Sequence, residues 1–184
     1  DEDIELRKEA IFALTNNPSN ETVGALCILM GNANVEIRRS SAWALGKIGS
    51  EDSICCLLAA LEDSDGQVID WCIRGLRDMD STRALQGLAD VITRSSPEEQ
   101  ERLIRLVVEK KSEITLRAIA ELMESDDVSV RRLATWAMAV SPYPPAVGML
   151  EKLVNDEDVQ VRDYAKKALV RLGRIDPTDL GLML

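Results

Sequence analysis

The chain has 184 residues, 46% of them hydrophobic and 29% charged, a balance that can fill a core and is far from a disordered composition. Its net charge of −10 argues against a duplex or RNA binder, which needs a basic field, and the absence of histidine removes the base of the Ser/His and Cys/His nucleophile systems and the commonest zinc ligand. No apolar run reaches the roughly 18 residues of a membrane span, and the 3% aromatic content suits helices cored by Leu, Ala, Ile and Val better than a sandwich or barrel.

In chain order, Leu6, Ala10 and Leu14 place an apolar, a small and a large residue on one helical face. Asn17-Pro18 interrupts, and Val23, Leu26 and Met30 then form the i, i+3, i+7 stripe of a second helix. The pair recurs as Ile37, Ser41, Leu45 with Ile54, Leu57, Leu61, separated by Gly46 and Gly49. A third pair is Val68, Cys72, Leu76 with Leu85, Leu88, Ile92. Ser96-Pro97-Glu98-Glu99 reads as a helix start with Ser at the N-cap, Pro at N1 and Glu at N3. That helix, the fourth of the first type, keeps Leu103 and Val107 although its anchor, Glu99, is polar, and Leu116, Ile119 and Met123 follow it. Val130, Ala134, Met138 pair with Val147, Leu150, Val154 across the turn SPYPPA, and Val161, Ala165, Leu169 begin a sixth unit. The closing PTDLGLML resembles an incomplete further helix of the first type.

The first members of these sets fall on a 31-residue clock. A lone helix hairpin cannot hide its apolar faces, whereas stacked pairs share one continuous core. The expected fold is therefore all-α, a right-handed α-solenoid of stacked antiparallel helix pairs. Residues 1–184 are expected to form a single array of about six repeats, cut from a longer solenoid because neither end supplies a clear polar cap.

The units VEIRRSSAWALGKIGSEDSICCLLAALEDSD and VQVRDYAKKALVRLG resemble HEAT-like (or ARM-like) repeats of the short, 31-residue kind known from phycobilisome lyases. The resemblance implies that the helix with the Val-Arg pattern lines a concave groove and that the leucine-rich helix lies outside it. It also implies a range of functions, from scaffolds and adaptors to bilin lyase subunits and DNA repair enzymes. The hydroxylases of this class use His-Glu metal ligands, which this chain cannot supply. Repeats three and four depart from the pattern, with Val68-Ile69 and Glu99-Gln100 in place of Val-Arg. The arginines after the anchors, Arg7, Arg38, Arg131 and Arg162, are expected to pair with acidic loop residues such as Asp126 or Asp158.

Counted from each anchor at about 100° per residue, offsets 3 and 6 form a second stripe away from the core face. Five of the six aromatic residues lie on it: Phe12, Trp43, Trp71, Trp136 and Tyr164, all but Tyr143. Arg74, Arg102, Arg105 and Lys167 share the stripe, and Arg39 and Arg132 flank it at offset 2. With offset 10 included, these groove positions hold nine basic and six acidic residues, while the rest of the chain is strongly acidic. Aromatics and arginines are the residue types enriched at binding hot spots. The eleven residues just named, Tyr143 excepted, are the candidate partner-binding set, centred on Arg74, Arg102 and Arg105.

The four cysteines, Cys27, Cys55, Cys56 and Cys72, show no CxxC spacing and are read as reduced core thiols of a cytoplasmic protein. Asp63, Asp65, Asp126, Asp127, Asp156 and Asp158 are read as helix caps, since no calcium-loop pattern is present. No catalytic residue and no metal site is expected. The expected function is a non-enzymatic scaffold or adaptor that binds a protein or peptide with an acidic or mixed surface, with no nucleic acid, membrane or cofactor, and with self-association through uncapped ends. The alternative is a subunit of a phycobilin lyase or isomerase, with bilin held by arginines and aromatics, and a further one is a nucleic-acid-binding HEAT-like enzyme.

Overall fold

A computed structural model describes residues 2–16 and 18–177. The expectations placed on Asn17 and on the segment from 178 onward lie outside these. The described residues form eleven α-helices with short 3-10 turns between them and no strand. This is the all-α fold of stacked helix pairs characteristic of HEAT- and ARM-like solenoids. Contacts divide the chain into two compact units, 1–88 and 89–184, and the division falls within α6.

The first unit holds α1 (Glu2–Leu14), α2 (Asn20–Leu29), α3 (Val35–Ile48), α4 (Ile54–Ala59), α5 (Gly66–Asp78) and the start of α6 (Thr82–Arg94). Its core is built from the periodic positions: Val23, Leu26, Ile37, Leu45, Ile54, Leu57, Val68, Leu76 and Leu88 are all buried. The first helix departs from this: Leu6 is 67% exposed where Ile37 and Val68 are covered, and Ala10 is exposed where Ser41 and Cys72 are buried. The second unit continues with α7 (Pro97–Val107), α8 (Glu113–Glu121), α9 (Val128–Val140), α10 (Val147–Leu153) and α11 (Val159–Arg171). Leu103, Val107, Leu116, Ile119, Met123, Val130, Met138, Leu150, Val161 and Leu169 are buried within it. Gln100, at the departure from the pattern, is buried too, and its amide donates to the Ile92 carbonyl at 3.0 Å.

The helix starts keep the same clock. The residues at 34, 65, 96, 127 and 158 are the N-caps of α3, α5, α7, α9 and α11, and in each the side-chain oxygen accepts from a backbone N–H of the first turn. A cap of this kind satisfies an otherwise orphaned donor and contributes about 1 kcal/mol. Ser96 forms the full capping box with Glu99, as its spacing predicts. Gly49 ends α3 in the left-handed region at φ 65°, where glycine carries no Cβ penalty. The tract from Ser141 forms a tight turn: the Ser141 hydroxyl donates to the Val108 carbonyl at 2.7 Å, Pro144–Ala146 make one 3-10 turn, and Tyr143 is buried.

Two expectations change. Cys27 and Cys56 are not thiols but form a disulfide between α2 and α4, with Cα atoms 5.7 Å apart. The clock explains it: Cys27 and Cys56 stand 29 residues apart, two short of a full repeat, so they meet across neighbouring second-type helices. Cys72 is a free buried thiol, pushed up to about 12 by burial, and Cys55 is exposed, with the Arg83 guanidinium 3.0 Å from its sulfur. Two of the anchor arginines pair with acidic loop residues as expected, though not with the two examples named. Arg38 binds Asp63 at 2.7 Å and Arg131 binds Asp156 at 3.1 Å, while Asp158 is the partner of Arg132 and Asp126 offers only its backbone carbonyl. Arg162 donates to the backbone carbonyls of Asp156 and Glu157, and Arg7 bridges to Asp3 within its own helix.

Candidate functional site

In the first unit the stripe brings Phe12, Trp43 and Trp71 together. Phe12 and Trp43 occupy the same offset in successive repeats and stack, with ring centroids 5.5 Å apart and planes 10° from parallel. Neighbouring first-type helices lie side by side, so a shared offset becomes a line of touching side chains. This is why a tryptophan stands off the core face at position 43. Trp43 and Trp71 are the common wall of two depressions. One is lined also by Lys8, Phe12, Glu36 and Arg39, the other by Lys47, Arg74, Arg77 and Asp78.

The second unit repeats the arrangement. Trp136 and Tyr164 form the common wall of two depressions, one lined by Glu101, Arg105, Arg132 and Leu133, the other by Ala139, Val140, Lys167, Val170 and Arg171. The Arg105 guanidinium lies 4.8 Å from the Trp136 ring centroid and the Lys167 ammonium 5.6 Å from that of Tyr164, both within cation–π range. The last depression has two cations and no carboxylate in its lining.

The flanking arginines do structural work in both units. Arg39 binds Asp65 at 2.7 Å and Glu36 at 2.8 Å, and Arg132 binds Asp158 at 2.7 Å. Each aspartate is also the N-cap of the next first-type helix. The Arg39 guanidinium, with help from the Val68 and Gln67 amides, holds the Asp65 carboxyl well below the usual range, and Arg132 with the Val161 amide lowers that of Asp158 to about 2. Arg39 and Arg132 therefore tie one repeat to the next, and their charge is already answered. The sequence signal for this was available, as Arg at offset 2 and Asp at offset 28 of a 31-residue period.

The remaining candidates differ in availability. Arg74 and Lys167 are exposed and form no ion pair among the described residues. Arg105 pairs with Glu101 in an exposed i,i+4 bridge of 2.8 Å, a kind of pair that costs little to open. Arg102 is exposed and already engaged. Arg74 belongs to the first unit, and Arg102 and Arg105 to the second. Among the lining residues outside the candidate set, two cations share one offset: Lys47, and Arg171, whose guanidinium donates to the Ala139 and Val140 carbonyls at the end of α9. Their common offset of 10 is the signal that places them there. Among the described residues no cluster of three metal-ligating side chains occurs, and no helix is long and apolar enough to cross a membrane.

Comparison with known proteins agrees with this architecture. A family profile for HEAT repeats matches residues 1–77. No curated protein matches the sequence. Among solved structures, the complex of CpcE and CpcF of phycocyanin lyase from Nostoc sp. PCC7120 is similar at 20% identity and a TM-score of 0.53, covering 90% of this chain and 70% of that one. An engineered protein is similar at 19% identity and a TM-score of 0.50, covering 92% and 87%. At such identities the likeness is one of fold. Residues 1–77 are thus similar to HEAT repeats, and the chain as a whole is similar in fold to proteins built from stacked helix pairs.

Proposed function

We propose that this protein is a non-enzymatic scaffold or adaptor that recognises a protein or peptide partner through the aromatic and basic stripe of its first-type helices. The observation that carries this reading is the concentration of half-buried rings beside exposed cations, in the same register, in both units. Rigid rings with a polar or cationic neighbour give contact area at low entropic cost, and the cations favour an acidic or mixed partner surface. No cofactor and no catalytic residue enters this reading. Leu6 and Ile28, 67% and 80% exposed on the first repeat, support self-association there as a secondary contact. A cytoplasmic location is the expectation from composition, and the Cys27–Cys56 bond weighs against it, because disulfides persist in oxidising compartments.

Affinity capture from the source organism's lysate tests the reading, comparing the intact chain with a Trp71→Ala/Arg105→Ala variant of unchanged helicity. One partner retained by the intact chain and lost by the variant supports it; an identical set from both sinks it. A bilin lyase subunit is the second reading. It is favoured by the fold likeness to phycocyanin lyase and by rings and cations that suit a tetrapyrrole with carboxylate side chains. Here bilin would be the ligand, and an unchanged bilin absorption spectrum on mixing removes this reading.

A further inference from the structure

Residues 38–78 and 131–171 are two versions of one junction, separated by three repeat lengths. Each has the same parts. A ring pair, Trp43 with Trp71 or Trp136 with Tyr164, walls two adjacent depressions. An arginine–aspartate clamp fixes the repeats beneath it, Arg39–Asp65 or Arg132–Asp158, each at 2.7 Å. A cation that forms no ion pair among the described residues, Arg74 or Lys167, stands beside the rings on the later repeat. Each junction lies wholly within one unit, so each is a complete site.

We propose, building on the recognition reading above, that the chain carries two equivalent docking ridges, one per unit, each taking an extended acidic peptide segment with a large apolar residue at its centre. The clamp aspartates are already neutralised by Arg39 and Arg132, so the cation beside each ring pair is left to answer a ligand carboxylate. The rings offer the apolar residue a flat, half-buried partner. Helices pack about 8–10 Å apart and an extended chain advances about 3.3 Å per residue, so a ridge of two repeats engages roughly three to six residues. The ridges differ in charge around that cation. Its depression in the first is lined by Lys47, Arg74 and an Arg77–Asp78 pair, and in the second by Lys167 and Arg171 with no carboxylate, while the companion depressions carry one glutamate each, Glu36 and Glu101. The second ridge binds the acidic segment more tightly.

Calorimetry with one synthetic peptide tests this: about ten residues, both ends blocked, a Leu-Phe centre flanked on each side by Asp and Glu. Two sites per chain are expected, the tighter lost in Trp136→Ala and the weaker lost in Trp71→Ala, with each variant's helicity checked by circular dichroism. Replacing the carboxylates by Asn and Gln is expected to weaken binding about tenfold or more. A single site, or equal binding by the Asn/Gln peptide, overturns the proposal. So does equal binding by an Asp/Glu peptide without the Leu-Phe centre, which would mark a general polyanion surface. Should the peptide fail to bind while capture from lysate still depends on Trp71 and Arg105, this inference fails and the recognition reading stands. Should capture also ignore those residues, both fail.

Discussion

The junction of repeats two and three and the junction of repeats five and six share one plan but are reinforced differently. In the first, α3 and α5 cross at Gly46 and Gly75, where a Cβ on Gly75 would come within 2.7 Å of the Gly46 Cα. The equivalent positions in the second are Ala139, close beside the rings, and Ala168, fully buried. The first unit also has the Cys27–Cys56 bond and stacks Phe12 on Trp43. The second has no disulfide among its described residues and sets Arg105 over Trp136 instead. The same stripe thus stacks ring on ring in the first unit and sets a cation over its ring in the second. A repeat lattice fixes where side chains meet and leaves what they do there to the residue chosen.

The disulfide should give the largest difference between the two. It closes a loop of 29 residues, and the chain-entropy account assigns such a loop about 3–4 kcal/mol. Urea unfolding of Cys27→Ser/Cys56→Ser should show that loss in the first unit, and reductant should reproduce it in the unaltered chain; equal midpoints with and without reductant would remove the bond from the account. Next is Gly75→Ala, whose Cβ meets backbone that cannot swing aside, at a cost of about 1–3 kcal/mol by thermal unfolding. Stability unchanged by that substitution would mean that α3 and α5 are not in contact there.

Smaller still is the contribution of the clamps, which both junctions have and which depends on pH. Asp65 and Asp158 have depressed pKa values in the folded state, so their stabilisation is complete above the ordinary carboxylate value near 4 and is lost as pH falls towards 2. Asp158→Asn should therefore destabilise at pH 7 and matter progressively less between about pH 4 and pH 2; a penalty constant over that window would contradict the ion-pair origin. The smallest effect is expected at the exposed ring contacts: about 1 kcal/mol for Phe12→Ala, and about 0.5 kcal/mol for Arg105→Ala. A larger loss for Arg105→Ala would show that the second stripe is structural.

Much of this architecture is legible in the sequence because repetition multiplies weak signals. Leu26, Leu57, Leu88, Ile119 and Leu150 are individually unremarkable, yet one period places all five in the core. Of the six aspartates read as caps, Asp65, Asp127 and Asp158 are N-caps, whereas Asp63 and Asp156 bind Arg38 and Arg131 and Asp126 caps no helix. Contacts between repeats were harder. The Arg39–Asp65 and Arg132–Asp158 clamps join residues 26 apart, and the disulfide joins residues 29 apart. Neither separation is the repeat itself, so a search for identical registers passes over them. Among the stripe residues, position was legible but availability was not, because nothing local distinguishes Arg74 from Arg39, whose charge is answered one repeat away.

The most direct test of the recognition stripe uses the chain's own reporters. All three tryptophans, Trp43, Trp71 and Trp136, lie on it, so a protein labelled with 15N-tryptophan shows three indole N–H resonances. On titration with the captured partner, the indole signals of Trp71 and Trp136 are expected to shift along a curve matching the calorimetric affinity. If the partner binds by calorimetry while all three indole signals stay in place, recognition takes place elsewhere and the stripe serves only to hold neighbouring helices together.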